Sequence, residues 1–143
     1  MATNIKLRTE EDEQEAVLWW ANMVDGRHKE LRLLYHCPNG GTRDMREAAK
    51  LKRMGVIPGV PDLHLPVARA GYIGLYIEMK YGDNRITREQ KEFMKAAAAE
   101  ENYCVACYTA EDAINVIIDY LNNMRAYDNL AIIKNGVQSG SIR

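Results

Sequence analysis

GVPDLHLPVARAGYIGLYIEMKYGDNRITREQK, residues 59–91, is the stretch on which the fold turns. It holds two apolar runs, 62–67 and 73–80, with a linker short enough for a hairpin. Side chains alternate along an extended strand, so Ile73, Leu75, Ile77 and Met79 share one face of the second run. Tyr76, Glu78 and Lys80 share the other, with Glu78 and Lys80 roughly 7 Å apart along the strand. Antiparallel pairing of the two runs brings Asp62, just after Pro61, back beside Glu78. A carboxylate and an ammonium inside a central strand are costly unless paired or bound to an ion.

Pattern alone leaves two readings open. In one, Glu78 and Lys80 form a simple ion pair on a solvated sheet face and Asp62 is a turn residue, as Asp after Pro often is. In the other, Asp62 and Glu78 hold a hard divalent cation such as Mg²⁺, which prefers carboxylate oxygens and water. The cation then polarises a phosphate and activates water, while Lys80 orients that water or stabilises charge growing on the phosphoryl oxygens.

Outward from this stretch, four helices are expected. The first spans about 10–24, with a stripe of Val17, Leu18, Ala21 and Val24 and a stop at Gly26. The second spans about 43–54, opened by Thr42 and closed by Gly55. The third starts at Thr87, where TREQ is a capping-box pattern, and the fourth at Thr109. Strands are expected at 31–36, 62–67, 73–80 and 103–108. The helix between the last two gives the spacing of a parallel crossover. The order α-β-α-β-β-α-β-α makes one α/β domain over residues 1–143, a mixed sheet covered by helices on both faces. The segment 123–143, with its apolar LAII, is expected to dock on the domain or on a partner subunit, its last residues loose.

Composition sets the class. With 47% apolar and 27% charged residues the chain is an ordinary globular mixture. No run of about eighteen apolar residues exists to span a membrane. The N-terminal MATNIKLRTEEDEQ has no apolar stretch of signal-peptide type, so a cytoplasmic protein is expected. Cys37, Cys104 and Cys107 are an odd set without a disulfide framework. Cys104 and Cys107 lie three apart in an alternating segment, which points them to opposite faces and argues for core thiols rather than a redox or zinc pair. The net charge is −1, but residues 27–53 hold eight basic and three acidic side chains, a segment suited to an approaching polyanion. A solvated helix face explains the same charges.

The residues around the three charges sharpen the choice. GVIPGVPDLHLP, then LYIEMKYGDNRITREQKEFM, then YCVACYTAEDAINVIIDYL resemble the VRR-NUC family, virus-type replication-repair nucleases of the PD-(D/E)xK superfamily. The resemblance covers about residues 10–122 as the nuclease core and implies a restriction-endonuclease-like fold. It implies that Asp62 and Glu78 are the acidic metal pair, that Lys80 is the catalytic lysine, and that Gln90 approaches the active site. Gln90 is equally a capping-box residue, and the two roles are compatible. The resemblance also implies a metal-site residue on the first helix. Gln14 stands at the best-matching position, with Glu11 and Glu15 as the carboxylates near it. An acidic first turn is also what the helix dipole favours. HCPNGG at 36–41 is similar to a family loop in which Asn39 approaches a phosphate. His36 reads as a strand-end residue, and His64 as a packing residue or a peripheral DNA contact. Lys50, Lys52 and Arg53 are the expected phosphate contacts.

The implied function is a Mg²⁺- or Mn²⁺-dependent endonuclease on DNA, of phage or prophage type. Without a recognition helix or an aromatic-rich platform, a preference for DNA shape is expected, with Holliday junctions or other branches as the substrate. Flaps or ordinary duplex are the alternatives. Stand-alone members resemble dimeric resolvases, so a homodimer is expected, with Trp19, Trp20 and LAII as interface candidates. Two other classes stay open: a non-catalytic DNA-binding module that kept the fold, and a metal-free interaction protein whose three charges form a salt-bridge network.

Overall fold

The computed structural model describes residues 8–24, 26–38 and 44–143. Six strands form one sheet in the order β1 to β6: Tyr35–His36, Leu63–Leu65, Gly74–Met79, Asn102–Cys107, Leu130–Lys134 and Val137–Ser141. β3, β4 and β5 run parallel, and the outer pairs are antiparallel. Four helices accompany them: α1 (Glu10–Met23), α2 (Met45–Arg53), α3 (Arg88–Ala99) and α4 (Ala110–Leu121). This is the mixed α/β sheet that the sequence predicts.

The strand alternation sorts two cores. On one face Leu63, Leu65, Ile77, Met79, Val105 and Ile133 pack with Val17 of α1 and Ile117 of α4. On the other, Cys104 and Ala106 pack with Met94 of α3 and with Ile86, bordered by Tyr76 and Ile132. Covered on both faces, β3 and β4 are nearly continuous apolar runs, as parallel strands are. The cysteines follow the same division: Cys104 and Cys107 are free, buried and on opposite faces. Burial pushes the Cys104 thiol up to about 12.

Three local expectations are corrected. Residues 31–36 are not one strand: Lys29–Leu33 is a 3₁₀ turn and the strand is Tyr35–His36. Alternation would place Leu31 and Leu33 alike, yet Leu31 is buried against α1 while Leu33 is 46% exposed. The spacing of Leu31 and Leu34 is helical, and the Leu34 N–H closes the turn onto the Leu31 carbonyl at 3.1 Å. α2 starts at Met45, capped by Asp44, whose Oδ1 accepts the Glu47 N–H at 2.7 Å; Thr42 lies outside the described residues.

The third correction concerns the C-terminal segment, which supplies two strands. Ala131 and Ile133 of LAII are buried in the sheet interior, and Leu130 and Ile132 pack on the α3 side. LAII is therefore no exposed interface, and Trp20 also packs against the core, whereas Trp19 is 67% exposed. Asn135 and Gly136 turn β5 into β6 with φ of 54° and 77°, the two left-handed residues of a type I′ hairpin. No helix among the described residues is long and apolar enough to cross a membrane.

Candidate active site

Three elements deliver carboxylates to one point at the end of β3. Asp62 immediately precedes β2, on the buried Pro61, with its backbone carbonyl accepting from the Cys37 N–H at 2.9 Å and hydrogen-bonded to His36 Nδ1 at 2.8 Å. Its side chain reaches across the hairpin, where Oδ2 accepts the Met79 N–H at 2.9 Å. Asp62 thus lands beside Glu78, as the hairpin argument requires.

Glu78 is 2% exposed. Its Oε1 accepts from Gln90 Nε2 at 2.9 Å and lies 3.5 Å from Lys80 Nζ. Its Oε2 is buried with no hydrogen-bond partner. Burial first, then the neighbouring Asp62 carboxylate, push the Glu78 carboxyl up to about 8; Lys80 pulls the other way and is outweighed. Lys80 is itself 6% exposed, its backbone N–H held by the Cys107 carbonyl at 2.8 Å. A buried ammonium and a buried carboxyl with a raised pKa therefore share one corner.

The third carboxylate is Glu10. One carboxylate oxygen from each of Glu10, Asp62 and Glu78 lies within 4.8 Å of the other two. Burial, and after it the charge of Asp62, raise the Glu10 carboxyl above its usual range, against the pull of Lys80 and a hydrogen bond to Asn84. A capping box at Thr9 fixes the entry of α1: Thr9 Oγ1 accepts the Asp12 N–H at 3.2 Å, and the Thr9 N–H reaches Asp12 Oδ2 at 2.8 Å. This places Glu10 on the first helical residue. Of the first-helix residues it is Glu10, rather than Gln14, Glu11 or Glu15, that the structure brings together with Asp62 and Glu78. Gln14, one turn on, borders a separate hollow that it shares with Glu10, Glu11, Glu15 and Asp62. The overlooked signal was the T-x-x-D cap, which sets the phase of the helix.

Gln90 carries both roles that its position allows. Its Oε1 accepts the Thr87 N–H at 2.9 Å, completing the cap of α3, while its Nε2 holds Glu78. The sequence reading also missed Gly59. At φ +86° its backbone lies so close to α3 that an added Cβ would stand 2.3 Å from the Glu89 carbonyl oxygen. Only a glycine lets the loop before Asp62 press onto the helix carrying Gln90.

Above the carboxylates opens a cleft of about 600 Å³, walled on one side by Ala48, Leu51 and Lys52 of α2. Lys52 faces it, while Lys50 and Arg53 are exposed on α2 without bordering it. Asn39 lies outside the described residues. His64 is not part of the site: it stacks on Tyr76 at 4.2 Å, bonds the Tyr35 hydroxyl at 2.7 Å, and is driven below its usual range by burial.

The donor set suits a hard divalent cation: carboxylate oxygens only, one of them buried and unpartnered among the described residues, in a cluster where Glu78 is raised despite the nearby Lys80. An Asp, a Glu and a Lys thus meet at the end of one strand of an α/β sheet. A family model described as VRR-NUC domain matches residues 3–111. A solved structure titled VRR_NUC domain protein is 34% identical, covering 87% of this chain and 97% of its own, with a TM-score of 0.70. No curated protein matches. The chain belongs to the VRR-NUC domain family, and that membership supports a nuclease-type function with DNA as substrate.

Proposed function

We propose that this chain is a Mg²⁺- or Mn²⁺-dependent endonuclease that hydrolyses DNA phosphodiesters and favours branched DNA, four-way junctions included. The observation that carries the reading is the buried, unpartnered Oε2 of Glu78 inside the cluster of three carboxylates. A salt-bridge network would satisfy that oxygen; a cation site leaves it for the ion. Asp62, Glu78 and Glu10 are the residues that would hold the cation. A bound divalent ion supplies Lewis acidity to a phosphoryl oxygen and lowers the pKa of water.

The remaining work falls to the protein's own groups. Lys80 Nζ, oriented by Glu78 Oε1, stabilises charge developing on the phosphoryl oxygens. Gln90 fixes the Glu78 rotamer, so the carboxylate does not collapse onto the lysine. The Met79 N–H holds Asp62 in the same way. Lys52, on the opposite wall of the cleft, steadies the backbone of the entering strand. Selectivity for shape fits a site with no recognition helix in its lining among the described residues. A homodimer would present two such sites to a symmetric branch, and Trp19 and Met23, exposed one turn apart on α1, are the apolar surface for it.

The test is purified protein with a labelled four-way junction, a flap and a linear duplex, each with Mg²⁺, Mn²⁺ or EDTA, beside Asp62→Ala and Lys80→Ala. Metal-dependent cleavage, fastest on the junction and abolished by both substitutions, is expected. Cleavage that survives EDTA or both substitutions removes the mechanism. Equal rates on duplex and junction remove the branch preference alone, and binding without cleavage reduces the chain to a DNA-binding module.

A further inference from the structure

Beyond the loop 81–87, away from α2, lies a second hollow of about 610 Å³. Cations from separate elements border it: Arg85 in the loop, Lys91 on α3, Lys134 on β5, and Arg143. Among the described residues Asp83 is the one carboxylate side chain lining it. The ion pairs of the described residues join Arg8 to Glu13, Arg69 to Glu30, Lys80 to Glu78 and Arg88 to Glu92. No cation of this hollow takes part in them. A chain of net charge −1 thus gathers four positive side chains around a single side-chain carboxylate among the described residues.

Lys134 is positioned at the hollow by two contacts. Its Nζ lies 5.0 Å over the Tyr108 ring and donates to the Gly82 carbonyl at 3.3 Å. An ammonium has three N–H donors, so two remain for another acceptor. Tyr108 is tied in turn to the Asn84 carbonyl at 2.5 Å, and Asn84 also contacts Glu10 of the carboxylate cluster. On the first turn of α3, Gln90 faces the cleft and the next residue, Lys91, faces the hollow. The loop 81–87 is therefore a shared wall, with the carboxylates on one side and the cations on the other.

We propose that Arg85, Lys91 and Lys134 form a backbone-phosphate contact site for the DNA strand where it leaves the carboxylate cluster. Its orientation rests on the nuclease reading, while the contact itself rests on the excess of cations over carboxylates in the hollow. A strand crossing the cluster would then be gripped from both flanks, by Lys52 of α2 and by this hollow. These contacts touch phosphates and carry no base information, in keeping with recognition of shape.

The test is the salt dependence of DNA binding in EDTA, read by anisotropy of a labelled duplex, with no cleavage required. Each phosphate contact adds about 0.9 to the slope of log affinity against log salt. Arg85→Gln with Lys91→Gln should lower the slope by about 2, and Lys134→Gln by about 1 more. Lys95→Gln, further along α3, should leave the slope unchanged. Arg85 and Lys91 are exposed, so the double variant tests the site even if Lys134→Gln disturbs the Tyr108 contact. Absence of DNA binding by the unsubstituted chain, or an unchanged slope in the double variant, overturns the proposal. A lowered slope in a protein that never cleaves would leave this site standing and remove the nuclease reading alone.

Discussion

Among the described residues three carboxylates are buried, and they are treated in two ways. Glu13 and Asp112 are fully used by the scaffold. Glu13 Oε2 accepts the Ala110 N–H at the start of α4 at 2.6 Å, and Oε1 pairs with Arg8 at 3.0 Å. Asp112 Oδ1 and Oδ2 accept the N–H groups of Gly136 and Asn135 at 2.7 and 3.2 Å, fastening the β5–β6 turn to α4. Glu78, equally buried, has one oxygen with no donor and two carboxylates for neighbours. Satisfied buried acids hold a fold together; a buried acid left incomplete stores its binding capacity for something outside the chain.

The largest effect expected on this contrast is at Lys80, the cation that faces the incomplete acid. Lys80→Ala should lower kcat by about 10²–10³-fold, the loss typical of one preorganised charge-stabilising group. Single-turnover cleavage at saturating DNA measures it, with binding in EDTA expected to change little. A loss confined to KM would make Lys80 a binding residue instead.

Next in size is the scaffold side of the comparison. Asp112→Ala removes the buried carboxylate that holds two N–H groups of an exposed turn and should cost about 1–3 kcal/mol, the worth of hydrogen bonds to a charged group. Denaturant unfolding reads the loss, and DNA cleavage by the protein that remains folded should keep its rate. If Asp112→Ala were stable but inactive, the division between structural and functional acids would fail.

The pH dependence separates the two kinds of acid by sign. In EDTA, between about 4.5 and about 8, folded Glu78 keeps a proton that the unfolded chain has released. Stability is therefore highest below that window and falls as pH rises through it; Glu10, also raised, adds in the same direction. Glu78→Gln should flatten the fall and make the metal-free protein more stable at pH 8. Calcium at 100 times its dissociation constant should restore about 2.7 kcal/mol to the unsubstituted chain, and none to Glu78→Gln. Thermal melts across pH, with EDTA or calcium, decide it. A Glu78→Gln variant that falls as steeply as the parent would sink the claim that this acid is strained.

How far these features were legible depends on how local their causes are. Asp62, Glu78 and Lys80 could be placed because a hairpin and a strand alternation fix them within twenty residues. Gln90 could be placed because its capping box is a four-residue rule. Glu10 was not found: it lies in a run of four acids, 10–13, and only the cap at Thr9 decides which of them turns inward. The hollow beyond loop 81–87 was invisible for another reason. Arg85, Lys91 and Lys134 are spread over fifty residues and meet only once β5 lies beside β4.

The β5–β6 hairpin, by contrast, was readable and was passed over. AIIKNGVQ carries Asn-Gly between an alternating apolar run and an extended one, the strongest short-range hairpin signal. Gly136 sits at φ +77°, so Gly136→Ala forces a side chain into the left-handed region and should cost about 1 kcal/mol. Because Asp112 holds both N–H groups of this turn, the cost should shrink once Asp112 has been removed. A double-mutant cycle of Gly136→Ala with Asp112→Ala measures that coupling. Strict additivity would mean that the turn stands without its buried acid, and Asp112 would then lose its place as the clasp between α4 and the sheet.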